Sequence, residues 1–308
     1  MTDTKPKVVR RLGDVVFANL AFFAGVSILA TLATVAAFLF AQSVPAFTGP
    51  PIDAASEGFF SYVLPFVFGT VYASVIGLAI ATPLAIGIAL YISHFANRKF
   101  AQVLGYAVDL LAAIPSVVYG LWGILVLAPF LSPTFNWLNE NLGWIPIFAG
   151  QVSATGRTML TVGIVLAIMV LPIMAALIRE IFLQTPRLHE EAALALGATR
   201  WEMIKMAVLP FGRPGIISAA MLGLGRPLGE TMAVAMVLSP AAVVSFAVLT
   251  STNSNTIAAN IALQFPEAGG NYTNPLIATG LVLFAITMVV NMIARWVISR
   301  RAEFSGAN

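Results

Sequence analysis

Six long apolar stretches, separated by short polar segments, constrain this chain more than any other feature. The first, from about Val16 to Phe40, lies inside a run from Val15 to Ile52 that has no charged residue. The other five lie at about 66–93, 107–131, 158–178, 214–240 and 275–298. An α-helix needs roughly 20 apolar residues to cross a bilayer, and membrane helices tolerate the Gly and Pro that interrupt these stretches. The sequence therefore predicts an all-α, polytopic membrane protein with six transmembrane helices.

The composition agrees with a lipid-embedded chain. Of 308 residues, 59% are hydrophobic and 9% are charged, whereas soluble domains carry about 25% charged residues. A cleaved signal peptide is the competing interpretation of the first stretch, but the apolar region is too long for one. The chain has no cysteine, which excludes disulfides, iron–sulfur clusters and a lipid-modified cysteine anchor. His94 and His189 have no metal-ligand spacing, and we expect no cofactor.

The positions of lysine and arginine predict the orientation. Four lie before the first span, two follow the second, five lie between the fourth and fifth, and three end the chain. If the spans alternate in direction, these fourteen of the sixteen basic residues share one side, while the opposite loops hold only Arg157 and span five holds Arg226. Cytoplasmic loops are enriched in such residues, so both termini are predicted to be cytoplasmic. The fourteen are Lys5, Lys7, Arg10, Arg11, Arg98, Lys99, Arg179, Arg187, Arg200, Lys205, Arg213, Arg295, Arg300 and Arg301.

The outer loops carry two further predictions. Residues 132–157 contain Trp137 and Trp144, which are typical of a short interfacial segment with aromatic anchors. Residues 241–274 are mostly uncharged and form either a short helix that closes the outer pore mouth or a plain connecting loop. The chain is accordingly divided into 1–65 (N-terminal tail, first span and outer loop), 66–300 (a core of five spans) and 301–308 (C-terminal tail).

The cytoplasmic segment between spans four and five predicts a pair of helices at about 186–209. Thr185 is an N-cap candidate with Pro186 at the first helical position. The first helix should end at Leu196, because Gly197 suits a left-handed turn. Thr199 and Glu202 have capping-box spacing for a second helix, which would place Trp201, Ile204 and Val208 on one face. The pair is either a solvated connection or a docking element for a partner; a DNA-binding role is disfavoured because both ends are tethered to the membrane.

Two charges lie inside span five. Arg226 is twelve residues beyond Pro214, or roughly 18 Å along a helix, which places it near the bilayer midplane. Such a charge costs about 2.5–3.5 kcal/mol on insertion scales, so its presence needs a reason. Glu230 has i, i+4 spacing to Arg226, so the two form either a structural ion pair or part of an anion site, since a guanidinium matches a tetrahedral oxyanion. Pro227 should kink the helix beside them.

Two sequence motifs resemble known permease families. Glu191-Ala192-Ala193, Gly197 and Leu209-Pro210 are similar to the EAA motif of type I ABC importer permeases, although Ala207 stands where isoleucine is usual. The segment GRPLGETMAV at 225–234 resembles PstC, the permease subunit family of phosphate-specific ABC importers, with Pro227 in place of the usual alanine. The segments 43–47, 114–120 and 264–268 match that family too. The sister family PstA shares the segment at 114–120, but typically continues with Ala-Pro after GET.

The resemblance implies a function and an assembly. It implies the type I ABC importer permease fold, in a bacterial inner membrane, with half of a pore for inorganic phosphate. The implied partners are a PstA-like permease subunit, two copies of a PstB-like ATPase and a PstS-like phosphate-binding protein. None of the four lysines follows a glycine, so the chain has no P-loop and ATP would be bound by the partner.

The resemblance also assigns residues. Glu191, Ala192 and Gly197 would couple to the ATPase, and Arg226 and Glu230 would face the substrate. Ser116 and Tyr119 would add hydroxyls to the same path, or would instead bond to backbone carbonyls. Two other functions stay open at this point: a permease for another oxyanion such as sulfate or molybdate, and a secondary transporter without a motor.

Overall fold

The computed structural model describes residues 12–48, 58–269 and 272–302, and the side chains of this part up to residue 297. The described part contains twelve α-helices and one pair of two-residue parallel strands, Pro240–Ala241 and Asn253–Ser254. The helices are α1 (Leu12–Thr48), α2 (Phe59–Leu90), α3 (Arg98–Ala112), α4 (Ser116–Trp122), α5 (Ala128–Leu142), α6 (Met159–Leu183), α7 (Arg187–Ala195), α8 (Arg200–Met203), α9 (Leu209–Leu228), α10 (Met232–Val237), α11 (Ile257–Gln264) and α12 (Thr273–Ala302). Three π-helical turns, Tyr91–Phe95, Gly123–Leu127 and Ile204–Val208, extend α2, join α4 to α5 and join α8 to α9.

Six helical units are long and apolar enough to cross a membrane, which confirms the predicted number of spans. They are Leu12–Thr48, Phe59–Phe95, Ser116–Leu142, Met159–Leu183, Arg200–Leu228 and Thr273–Val297. The basic residues predicted for the N-terminal tail lie outside the described residues, as does the C-terminal tail from 303 onwards.

The core of the protein forms around α6. In the most apolar window of α6, 67% of the residues are buried, and Met169, Ile178 and Phe182 have no exposed surface. Helix α2 runs along α6, whereas α1 packs against α12 and has no buried residue in its own apolar window. Exposed apolar side chains on α1 are consistent with a lipid environment, because lipid is as apolar as the side chains themselves.

The third predicted span has the wrong boundaries. It was placed at 107–131, but α3 ends at Ala112 and a new helix starts at Ser116. Pro115 causes the break, since proline has no backbone N–H and disfavours helical backbone in the residue before it. The span therefore runs from Ser116 to Leu142, and Trp137, predicted in an interfacial segment, lies in α5.

Part of the outer loop at 241–274 is helical, which agrees with the predicted short helix and not with a plain connecting loop. The side chain of Thr256 caps α11 by accepting a hydrogen bond from the Ala259 amide at 3.3 Å. The Ile257 amide donates to the Thr70 hydroxyl of α2 at 2.9 Å, which ties the start of α11 to a central span. Closure of the pore by α11 stays a prediction.

Two segments that were predicted to share the cytoplasmic side do lie together. The π-helical turn after α2 brings His94 Nε2 within 3.5 Å of Glu190 Oε1 in α7. The Arg179 guanidinium, at the end of α6, lies against Gly105 of α3, where a β-carbon would come within 2.4 Å of it. The end of span two, α3 and the helical pair after span four thus meet on one face of the protein.

Candidate functional site

The fifth span is a broken helix. Gly229 caps α9, with its amide donating to the Arg226 carbonyl at 3.3 Å, and the Glu230 amide donates to the Pro227 carbonyl at 3.3 Å. A new helix, α10, begins at Met232. The predicted continuous span over 214–240 is therefore wrong. Pro227 removes one donor from the last turn of α9, and the tighter bonds of the cap satisfy the Arg226 and Pro227 carbonyls.

Each of the two charges lies at the helix end that suits its sign. Arg226 is in the last turn of α9, where the carbonyl ends of the peptide dipoles favour a cation. Glu230 precedes α10, and its Oε1 accepts a hydrogen bond from the Ala233 amide at 3.1 Å, as an N-capping carboxylate does. The prediction that both residues share one face of a single helix is wrong, because α9 ends between them.

The Arg226 guanidinium has no protein partner among the described residues. Within the described part of the chain, the structure shows no hydrogen bond and no ion pair for its guanidinium, although Glu230 is only four residues away. Glu230 is 8% exposed and is occupied at the start of α10, whereas Arg226 is partly exposed. The structure thus forms no Arg226–Glu230 ion pair, and the guanidinium donors are open to a ligand.

Helix α4 brings a hydroxyl-bearing segment to the break. A β-carbon on Gly120 would lie 2.9 Å from the Ala233 α-carbon, so α4 approaches α10 more closely than a larger residue would allow. Tyr119 lies within electrostatic range of Arg226, but its hydroxyl donates to the Leu111 carbonyl at 2.9 Å. Ser116 is one turn earlier in α4 and is partly exposed. The Tyr119 hydroxyl is therefore bound to a backbone carbonyl, which is one of its two predicted alternatives.

The turn after α7 has the geometry predicted from Gly197. The φ angle of Gly197 is +85°, in the left-handed region. The Ala198 amide donates to the Ala193 carbonyl at 3.2 Å, and the Gly197 amide donates to the Leu194 carbonyl at 3.0 Å. These two bonds define a Schellman motif, which satisfies the last carbonyls of the helix. The start of α7 differs from the prediction by one residue, since Pro186 and not Thr185 is the N-cap.

The second helix of the pair begins with the predicted capping box. The Thr199 amide donates to Glu202 Oε2 at 2.8 Å, and the Glu202 amide donates to the Thr199 hydroxyl at 3.4 Å. Ile204 is fully buried, but 49% of Trp201 is exposed. The predicted shared face therefore includes the buried Ile204 and Val208 but not Trp201.

The predicted coupling residues lie on an exposed surface. Glu191, Ala192 and Gly197 are all exposed, and so are their neighbours Leu188 and Leu196, at 74% and 88%. Ala192 lines an open, mainly apolar groove of about 1150 Å³ between α7 and the α8–α9 helix. The His94–Glu190 contact fixes the opposite side of α7. It joins residues 96 positions apart, and no sequence motif predicts it.

Comparison with known proteins places the chain in a family. The profile of the family described as "Binding-protein-dependent transport system inner membrane component" matches residues 81–303. The phosphate transport system permease protein PstC 2 of Mycobacterium tuberculosis is 42% identical over 314 residues, which cover 95% of each chain. The chain belongs to the PstC family. The PstC of Mesorhizobium japonicum is 38% identical over 320 residues, covering 99% of this chain and 96% of the relative.

Solved structures are similar in fold. A bacterial ABC transporter involved in the import of the acidic polysaccharide alginate matches 94% of this chain and 99% of its own, at a TM-score of 0.56 and 17% identity. At that identity the likeness concerns the fold alone, which is that of ABC importer permeases. As a member of the PstC family with six apolar spans, the chain is a multi-pass protein of a bacterial inner membrane.

Proposed function

We propose that this chain is the permease subunit of an ATP-driven importer of inorganic phosphate and forms half of its translocation pore. The observation that carries the proposal is Arg226, a cation at a break in the fifth span with no protein partner among the described residues. A guanidinium presents planar, forked donors that match phosphate oxygens. The names of the PstC relatives support phosphate as the anion.

Arg226 provides a transient contact for phosphate in the membrane. The break in the helix leaves backbone carbonyls and amides at this depth, an arrangement that membrane proteins use where the chain lines a cavity. Glu230 holds the start of α10 through the Ala233 amide, so it shapes the site without neutralising Arg226. Tyr119 and Ser116 belong to α4, which forms one wall of the proposed phosphate path. A weak contact serves transport, because a tightly bound ion would not leave.

The exposed helical pair transmits the action of the ATPase. Leu188 and Leu196 expose apolar surface on both sides of Glu191 and Ala192, and docking on the ATPase would bury it. The Schellman turn at Gly197 and the capping box at Thr199 make the pair a rigid unit. The helix from Arg200 to Leu228 is continuous, so a movement of the pair reaches Arg226 without an intervening loop.

The complete importer contains further subunits. We propose a heterodimer with a PstA-like permease subunit, two copies of a PstB-like ATPase that binds the ATP, and a PstS-like phosphate-binding protein on the outer side. This chain would be non-catalytic. The exposed apolar length of α1 is available to the partner permease or to lipid.

The test is transport by the reconstituted complex. We expect phosphate uptake that depends on ATP and on the binding protein, and that sulfate or molybdate does not replace. Arg226→Gln should abolish uptake while the subunits still co-purify; Arg295→Gln, an exposed arginine of α12, is the matched control. Loss of assembly in Arg226→Gln would indicate a structural role, and uptake of sulfate alone would indicate a different oxyanion permease.

A second measurement addresses the motor. Glu191→Lys should abolish uptake and reduce co-purification of the ATPase, because it reverses a charge on the exposed face of α7. If no ATPase subunit associates with the wild-type chain, and Glu191→Lys leaves uptake intact, the chain works as a secondary transporter and the proposal is wrong.

A further inference from the structure

A second cationic site lies at the membrane face opposite the coupling surface. Arg157 precedes α6, whose 25 residues extend over about 37 Å at 1.5 Å per residue. The far end of α6 leads into α7 and the coupling surface. Arg157 therefore lies at the membrane face away from the ATPase, in a loop for which the sequence predicts the outer side and no other basic residue.

Arg157 lines an open cavity of about 660 Å³. Three other polar residues contribute to its wall: Ser132 and Asn136 of α5, and Thr155 of the loop before α6. Two hydroxyls, an amide and a guanidinium supply hydrogen-bond donors, and no acidic residue lines the cavity. Since liquid water takes about 30 Å³ per molecule, the space admits a hydrated ion.

The charge of Arg157 is not balanced by the protein. Its Nη2 donates to the Leu238 carbonyl at 2.8 Å, but its Nε is buried without a hydrogen-bond partner, and the described residues offer it no ion pair. Arg157 also directly precedes Thr158, the N-cap of α6, where the helix dipole disfavours a cation. Because the buried Nε has no surface open to the cavity, an anion there would meet the Nη atoms of the guanidinium.

The backbone amides at the start of α6 do not bind the anion themselves. The Met159 amide donates to Asn253 Oδ1 at 3.2 Å, and the Leu160 amide donates to the Val248 carbonyl at 3.1 Å. The first amides of the helix are thus occupied. Any anion in the cavity is held by side chains, chiefly by the guanidinium.

We propose that this cavity is an outer receiving site for a tetrahedral oxyanion, phosphate in the proposed function on which this inference rests. The bond from Arg157 Nη2 to Leu238 leaves the Nη1 donors for the anion, since Nε is buried. Leu238 follows α10, and Glu230 precedes it, so six helical residues, about 9 Å, separate this site from the break at Arg226. The break after Arg226 and the Leu238 carbonyl that binds Arg157 thus lie at opposite ends of α10, and the anion passes from one arginine to the other along this helix.

A negative charge placed in the cavity tests the site. Thr155→Asp puts a carboxylate on the cavity wall, and Asn136→Asp is a second variant in case the first does not assemble. Asn141→Asp is the matched control, because it adds the same charge near the end of α5 at an exposed position outside the cavity. In proteoliposomes with the ATPase and the binding protein, we expect uptake of radiolabelled phosphate to fall about tenfold in the cavity variants, the loss of one charge-assisted contact, and to be unchanged in Asn141→Asp.

A binding measurement separates this site from the proposed transport function. Phosphorus NMR of inorganic phosphate is recorded with the complex in nanodiscs, in an Arg226→Gln background that removes the deeper contact. We expect the phosphate line to be broadened, and the added Thr155→Asp to reduce the broadening while Asn141→Asp does not. This comparison requires no transport, so it decides on the site even if the wild-type complex imports another ion.

Two results would overturn the inference. Equal phosphate line widths with and without Thr155→Asp would mean that the cavity binds no phosphate. A fall in uptake would then have another cause, namely that the new carboxylate displaces Arg157 from Leu238. Unchanged uptake in both cavity variants, in a wild-type complex that imports phosphate, would mean that the site does not lie on the route.

Discussion

Replacing Gly197 by alanine should weaken the link between the permease and its ATPase. A β-carbon at this position would meet no atom within 4 Å, so the substitution adds no steric clash. Its cost is conformational: at a φ of +85°, an L-residue with a β-carbon is destabilised by roughly 1–2 kcal/mol. That free energy acts on the Schellman turn between α7 and α8, and it lowers the ratio of native to non-native turn by a factor of about 5–30.

The effect should appear in docking and not in the stability of the membrane core. We expect the affinity of the Gly197→Ala permease for the ATPase to fall by up to this factor of about 5–30, measured by titrating detergent-solubilised permease with labelled ATPase. The melting temperature of the isolated permease should change little, because Gly197 is exposed. Gly197→Asn should lose less affinity, since asparagine tolerates left-handed backbone.

The matched control is Gly87→Ala. Gly87 is also exposed and free of neighbours within 4 Å, but it lies inside α2 with ordinary helical backbone. Alanine there should favour the helix by about 0.8–1.0 kcal/mol and leave docking unchanged. If Gly197→Ala binds the ATPase as the wild type does, or if Gly87→Ala weakens binding equally, the turn is not the element that positions the coupling surface.

Two further substitutions test the packing that positions the site. Gly120→Leu should abolish uptake and lower the melting temperature of the complex. Its β-carbon would lie 2.9 Å from the Ala233 α-carbon, and such overpacking costs about 1–3 kcal/mol. Gly25→Leu is the control, because Gly25 lies in open space on α1 and its replacement should have neither effect. Thr70→Val should destabilise by about 1–3 kcal/mol in thermal melts, since it leaves the first amide of α11 buried and unpaired. Thr31→Val removes only a hydrogen bond within α1 and should have a much smaller effect. Equal losses in both threonine variants would mean that the bond from Thr70 does not anchor α11 to α2.

Local features of the sequence are sufficient for the spans and for the coupling turn. A transmembrane helix requires only enough consecutive apolar residues, so all six spans are visible without knowledge of their neighbours. The turn at Gly197 and the capping box at Thr199 satisfy their backbone groups within a few residues. Because these partners are close in sequence, their geometry follows from residue type and spacing.

The boundaries of spans three and five show where such local reasoning fails. Pro115 and Pro227 are evident in the sequence, but a proline can either kink a membrane helix or end it. The outcome depends on whether the surrounding structure supplies hydrogen-bond partners for the backbone groups that the proline leaves unpaired. In span five, Gly229 and the Glu230 carboxylate provide caps for two separate helices. In a continuous helix, Arg226 and Glu230 would be close enough to form an ion pair. In the broken helix, they are instead two charges at the ends of different helices.

The sequence by itself thus determined the membrane class, the six spans, the rigid coupling turn and the family, since all depend on apolar length, on local caps or on matching residues. Only the tertiary structure decided that Arg226 has no protein partner in the described chain, that Glu190 contacts His94, and that Arg157 lines an open cavity with three other polar residues. These facts depend on contacts between residues far apart in the chain, such as His94 and Glu190 at 96 positions or Arg157 and Leu238 at 81. No local preference encodes such contacts, because they exist only once the helices have packed against one another.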